Sequence, residues 1–192
     1  RLLKVRKDYE ALKQDGRLSP YDDLVKEHAQ KYNFDWRLLV SQMYQESRFD
    51  PQAESWAGAQ GLFQVMPKTA RELGVENLEV PENGIRAGVA YLDWVRDRAK
   101  YMNPKNDEEL MWFALASYNA GAGHVRDAVR LAKQKGWHSD VWFDNVEQAM
   151  LLLSKREYAR KARYGYVRGE EPVKYLRNIR KRYRAYQEVT DR

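Results

Sequence analysis

Apolar residues recur at helical spacing in segment after segment of this chain, and caps, prolines and glycines punctuate the segments. Residues three and four apart share one face of an α-helix, whereas a half-buried strand needs strict alternation. Leu24, Val25, His28 and Tyr32 form one stripe, and Trp36, Leu39, Val40 and Met43 a second. Ile85, Val89, Leu92 and Val95 form a third, and Leu110, Phe113 and Ala114 a fourth. Val173, Leu176, Ile179, Tyr183 and Tyr186 form the last. Ser19-Pro20 followed by Asp22 reads as a helix start: a cap residue, proline at the first helical position and an acid in the first turn. Asn33-Phe34-Asp35 breaks the first stripe, and Asp35 is placed to cap the next helix. Pro67 opens a helix that Gly74 closes. Asn83 and Asn106 are candidate caps for two more, the second ending at Gly121. Further helices are expected from about Gly123 to Gly136, near Asp144 to Leu153, and from about Pro172. Little of the chain alternates with period two. Residues 47–60, with Pro51 and Gly58, read as a loop or short irregular hairpin. The expected fold is mainly α, with little or no β-structure.

With 192 residues, the chain is one domain, or one plus a short extension, and long enough to bury a core. Residues 1–18 read as a charged linker and 19–192 as the domain. The absence of cysteine excludes disulfides and thiolate metal sites. No apolar stretch approaches the roughly 18 residues of a membrane span. The chain opens at Arg1 and reads as a processed or cloned fragment, so a missing signal peptide carries no information. The net charge of +6 is uneven, with twelve basic and three acidic residues between 155 and 184. Such a segment is either a solvated helix face or a surface that steers an anionic partner. His28, His124 and His138 have no partners at metal-ligand spacing, so no metal is expected. Gly121 and Gly123 do not follow a strand and make no phosphate loop. No cofactor and no nucleic-acid partner are expected.

Glu46 continues the Trp36–Met43 stripe, three residues past Met43 and seven past Leu39. A carboxyl on an apolar face loses hydration, which favours its protonated form, and the negative end of a helix pushes the same way. That is the condition of a general acid. The plainer alternative is that the helix ends here and Glu46 turns into water.

Three further segments bear on that choice. They are Gly61-Leu62-Phe63-Gln64-Val65-Met66-Pro67, Ser117-Tyr118-Asn119-Ala120-Gly121, and Glu171-Pro172-Val173-Lys174-Tyr175-Leu176-Arg177-Asn178-Ile179. With Glu46-Ser47, and in this order, they resemble the motif set of the family 1 lytic transglycosylases, bacterial enzymes that cut the glycan strands of peptidoglycan. Each motif alone is weak; four in order across residues 46 to 179 are specific. Phe63 stands where methionine is common, Ser117 where alanine is, Pro172 where threonine is and Leu176 where valine is. None of these departures removes a polar group tied to chemistry; they bear on subfamily and cleft detail.

The resemblance implies a lysozyme-like helical domain with a cleft, and a single-acid mechanism. Glu46 would protonate the oxygen joining N-acetylmuramic acid to N-acetylglucosamine, then act as base while the sugar's own 6-hydroxyl closes a 1,6-anhydro ring. Ser55 would orient Glu46 or the attacking group, although alone it reads as a turn residue. Gln64 has an amide able to donate to and accept from sugar groups, and Met66 would pack against a sugar ring or join the core. Tyr118 and Asn119 match the third motif, but Asn-Ala-Gly is also ordinary helix-end punctuation. Tyr175 matches the last motif and also falls on an apolar stripe. The resemblance further implies peptidoglycan strands as partner, an N-terminal regulatory module in the full-length protein, and a location in the periplasm or at the periplasmic face of the outer membrane. Two alternatives stay open: a lysozyme-type hydrolase on the same fold, with Asp50 or Glu54 as second carboxylate, and a non-catalytic glycan-binding module.

Overall fold

The structure, a computed structural model, describes residues 16–191. Among them nine α-helices follow one another: α1 (Asp22–Tyr32), α2 (Trp36–Ser47), α3 (Pro67–Glu72), α4 (Pro81–Ala99), α5 (Asp107–Ala120), α6 (Ala122–Gln134), α7 (Glu147–Leu152), α8 (Arg156–Ala159) and α9 (Glu170–Thr190). A 3₁₀ turn occupies Lys100–Met102, and a kinked segment Trp142–Val146 leads into α7. The described residues form no strand, only the isolated antiparallel bridges Glu54–Gln60 and Gln60–Val65. The fold is mainly α, as the spacing predicts.

The helix ends follow from their residues. The Ser19 hydroxyl accepts the Tyr21 N–H (3.1 Å) and donates to Asp22 (2.6 Å), whose other oxygen accepts the Leu18 N–H (2.7 Å). Pro20 and Tyr21 form the turn these bonds close, so α1 starts at Asp22 rather than at the proline. Leu18 is 1% exposed, so the folded unit takes in the end of the stretch read as a linker; residues 1–15 of that stretch lie outside the described residues. Asn33 takes the left-handed conformation (φ 58°), and Asp35 accepts the Arg37 N–H at 3.0 Å to cap α2. Asn106 caps α5 through the Glu109 N–H at 2.9 Å. Asn83 is not a cap: α4 begins at Pro81, whose fixed φ and missing N–H suit a first turn, and the Asn83 amide donates to the Asn77 carbonyl (3.3 Å). Asp144 does not open a helix either; its φ of 63° breaks the segment, and α7 starts at Glu147.

The chain divides into two compact units, one of residues up to Ala90 together with Ile179 onward, the other of Tyr91–Asn178. Helices α4 and α9 each contribute to both. In the first unit α1 packs against α2. The middle of α2 is buried on every side: Leu38, Ser41 and Gln42 are enclosed along with Leu39, Val40 and Met43. The loop after α2 lies on α4 where that helix carries glycine at successive turns. A Cβ on Gly84 would stand 2.9 Å from the Leu78 carbonyl oxygen and 3.5 Å from the Leu62 nitrogen, and one on Gly88 would collide with the Phe63 side chain. Small residues four apart on one helix face thus let loop backbone and a buried phenylalanine close onto it.

In the second unit α5, α6 and α7 pack around Phe113, Val125, Ala128, Trp142 and Met150. Trp112 meets Phe143 edge-on at 5.2 Å, and Phe113 meets Trp142 at 6.2 Å. Glu147 is 0% exposed and takes both prongs of the Arg177 guanidinium (2.8 and 2.5 Å), which joins the start of α7 to α9. A buried carboxylate persists when it is paired and hydrogen-bonded in this way.

Candidate active site

Glu46 is the penultimate residue of α2 and is partly buried. Behind it Arg48 (φ 53°) and Phe49 (φ 66°) both take the left-handed conformation, which side-chain-bearing residues seldom adopt. This pair turns the chain back, and the Phe49 ring meets Tyr44 edge-on at 5.3 Å. The Arg182 guanidinium lies 3.4 Å over the same tyrosine. The last turn of α2 is therefore held by an aromatic pair and a cation, not by helix hydrogen bonds alone.

The following loop is tied at several points. Asp50 accepts the Gln52 N–H at 2.9 Å, a turn role, and Glu54 is exposed. Ser55 and Ala59 close a tight turn: the Ser55 N–H donates to the Ala59 carbonyl (2.9 Å), and the Ala59 N–H donates to the Ser55 hydroxyl oxygen (3.0 Å). Gln60 and Val65 exchange both backbone bonds, at 2.9 and 3.1 Å. Gln64 sits between them with φ 50°. Its side-chain NH₂ donates to the carbonyls of Ala53 (2.9 Å) and Gly61 (3.0 Å). Both donors expected to read a sugar are thus spent on the loop, and the amide's carbonyl oxygen is what it has to offer.

Two apolar side chains stand out from this loop. Met66 is 43% exposed, so the core alternative for it fails. Trp56, at the tip of the Ser55–Ala59 turn, is 101% exposed. Only its place between Ser55 and Gly58 in a turn marks Trp56 in the sequence.

Tyr118 and Asn119 lie in the last turn of α5, Tyr118 partly buried and Asn119 exposed. The Tyr118 ring is 5.0 Å from Tyr91, which in turn stacks on Trp94 at 5.9 Å. Burial raises the Tyr91 phenol's pKa above its ordinary value. Tyr175 is buried beside Leu176, as its stripe position predicts. Glu46, Ser55, Gln64 and Met66 belong to the first unit, and Tyr118, Asn119 and Tyr175 to the second. His28 is a buried residue of α1, and burial lowers its imidazole pKa. No group of three or more metal-ligating side chains lies together among the described residues.

A family model described as "Transglycosylase SLT domain" matches residues 23–140. The chain belongs to the transglycosylase SLT domain family. That span takes in Glu46, the tied loop and the Tyr118-Asn119 pair. Among curated relatives of this SLT chain, the membrane-bound lytic murein transglycosylase F of Aeromonas hydrophila is 42% identical over 168 residues, covering 88% of this chain and 33% of that protein. The one from Shewanella loihica is 43% identical over 169 residues, covering 88% and 34%. The SLT chain thus spans about a third of the length of these relatives. Among solved structures, an inactive mutant of the lytic transglycosylase Slt from Pseudomonas aeruginosa aligns with a TM-score of 0.61 at 22% identity, over 90% of this chain and 24% of that one. The 70 kDa soluble lytic transglycosylase of Escherichia coli aligns with a TM-score of 0.59 at 25% identity, over 88% and 24%. The SLT fold here is lysozyme-like, as the motif resemblance implies.

Proposed function

We propose that this chain is the catalytic module of a peptidoglycan lytic transglycosylase, with Glu46 as its single acid and base. The observation that carries the reading is Glu46 itself, partly buried at the negative end of α2 within the family-matched span, with the tied loop directly behind it. In this reading Glu46 must carry its proton when the substrate binds. Glu46 gives that proton to the glycosidic oxygen, and the bond from that oxygen to the muramoyl C1 breaks. The muramoyl N-acetyl group assists at C1, as in substrate-assisted glycosidases. The muramoyl 6-hydroxyl then attacks C1, passes its proton to the Glu46 carboxylate and closes the 1,6-anhydro ring. The acid is restored and no water is consumed. The attacking hydroxyl already belongs to the substrate, an advantage in effective concentration over water.

The loop residues serve this step at one remove. Ser55 and Gln64 hold the loop's shape through the bonds described above, and the Gln64 carbonyl oxygen is available to an acetamide N–H. Trp56 and Met66 offer apolar surface to the C–H face of a sugar. Tyr118, Asn119 and Tyr175 complete the family's set. The names of the relatives support murein as substrate and a membrane-associated setting, and their greater length supports a further module in the full-length protein. No described helix is long and apolar enough to cross a membrane.

The test is Glu46→Gln, which keeps the shape and removes the proton. Purified murein sacculi should lose turnover by about 10²–10⁴-fold, the range of general acid–base catalysis, while circular dichroism and melting stay those of the parent. Turnover within a few-fold of the parent contradicts the assignment.

A further inference from the structure

A concave surface of about 680 Å³ in the second unit is lined by residues from the 3₁₀ turn after α4, from α6 and from the segment after α6. Three of its cations, Arg126, Arg130 and Lys133, recur along α6 at spacings of four and three, so they share one helix face. Arg130 pairs with the buried Asp127. Arg126 and Lys133 have no ion-pair partner among the described residues, and Asp140 is the only acid lining the surface. Two aromatic residues flank these cations. Tyr101 is 82% exposed in the 3₁₀ turn, which Asn103 (φ 55°) ends. Trp137 is set by the end of α6: Gly136 (φ 75°) donates to the Lys133 carbonyl and Trp137 to the Ala132 carbonyl, at 3.1 and 2.9 Å. That paired pattern is the glycine-dependent helix stop that fixes the direction of the residue after it.

A basic helix face alone is ordinary. Here the cations line a concavity, two of them have no ion-pair partner among the described residues, and exposed aromatic surface lies beside them. Guanidinium and ammonium groups select carboxylates or phosphates, and exposed aromatic rings select the apolar faces of sugars or peptide side chains. A ligand meeting both demands is a glycan that carries carboxylates.

We propose that this surface binds the carboxylate-bearing stem peptides of the murein strand, with Arg126 and Lys133 as the charge contacts and Tyr101 and Trp137 as the apolar walls. The proposal rests on the reading of murein as substrate and adds a preference for peptide-bearing over peptide-free strands.

The experiment compares Arg126→Gln/Lys133→Gln with the parent on soluble glycan strands, either bearing their peptides or stripped of them by an amidase. The parent should show the lower KM on peptide-bearing strands. The double variant should raise that KM by about tenfold, the weight of a hydrogen bond to a charged group, and leave kcat and the KM on stripped strands unchanged. An unchanged ratio of the two KM values overturns the proposal, as does an equal rise in both. Loss of binding to phosphatidylglycerol vesicles with the ratio intact would assign the surface to a membrane instead, and also overturns it. Turnover of neither substrate by the parent would defeat the proposed function, not this site. The site is then read separately by titrating a peptide-bearing disaccharide, and the same disaccharide without peptide, against the Trp137 indole N–H signal. The first should shift it and the second should not; equal behaviour of the two overturns the site.

Discussion

At Asp35 several effects meet on one carboxylate. Burial pushes its pKa up, but hydrogen bonds from the Arg37 side chain, the Tyr183 hydroxyl (2.7 Å) and the Arg37 N–H, with the charge of Arg37, outweigh it and leave the group below its ordinary value of 3.8. The sequence marked Asp35 as a cap. It did not mark Arg37 and Tyr183, because one lies two residues away and the other arrives from α9. A depressed folded-state pKa contributes stability above the unfolded value and loses it as pH falls through the folded one. Asp35→Asn should therefore melt lower than the parent at pH 7, and the gap should narrow progressively below about pH 4. Thermal melts from pH 7 to pH 2 check this; a gap that stays constant across that range contradicts it. Trp56 poses a different residue-scale question, since its side chain has no packing role to lose. Trp56→Ala should leave the unfolding free energy within about 0.5 kcal/mol of the parent, as for other surface changes, and raise KM on glycan strands while kcat holds. Unchanged KM would remove Trp56 from the binding surface.

At the scale of elements, the loop between α2 and α3 depends on what α4 lacks. Gly88 leaves the space that the Phe63 side chain fills, and a Cβ on Gly61 (φ 81°) would collide with the Leu78 carbonyl. Gly88→Ala should destabilise the domain by about 1–3 kcal/mol, the usual result of overpacking a core, and should disturb the setting of Gln64 next to Phe63. Chemical denaturation gives the first quantity. Steady-state kinetics give the second, as a fall in kcat/KM larger than that of an exposed surface control such as Glu76→Ala. Stability and kinetics equal to that control would contradict the packing account. The stripes of α1, α2, α5 and α9 and the caps of α2 and α5 were readable because helix periodicity and capping are local. The helix α8 and the 3₁₀ turn were not, since four and three residues are too few to show a stripe. Asn83 and Asp144 misled for one reason: both residue types cap helices, yet Pro81 starts α4 sooner and the left-handed backbone of Asp144 interrupts its segment. The motif residues were found by their order along the chain. The loop bonds of Gln64 and the exposure of Trp56 were not, because both depend on how the 48–66 segment closes on itself.

For the whole molecule, two readings of one fold differ in what attacks the muramoyl C1. A hydrolase needs a second carboxylate to direct water or to form a covalent intermediate. Of the two acids near Glu46 in sequence, Asp50 holds the Gln52 N–H in a turn and Glu54 is exposed, with its backbone in the isolated bridge to Gln60. Asp50→Ala and Glu54→Ala should then retain turnover within a few-fold of the parent, and a variant as inactive as Glu46→Gln would favour the hydrolase. The decisive measurement is mass spectrometry of the muropeptides released when the protein digests purified sacculi in ¹⁸O-labelled water. The single-acid account predicts muramoyl ends in the 1,6-anhydro form with no solvent oxygen. Reducing ends that carry the label would contradict it.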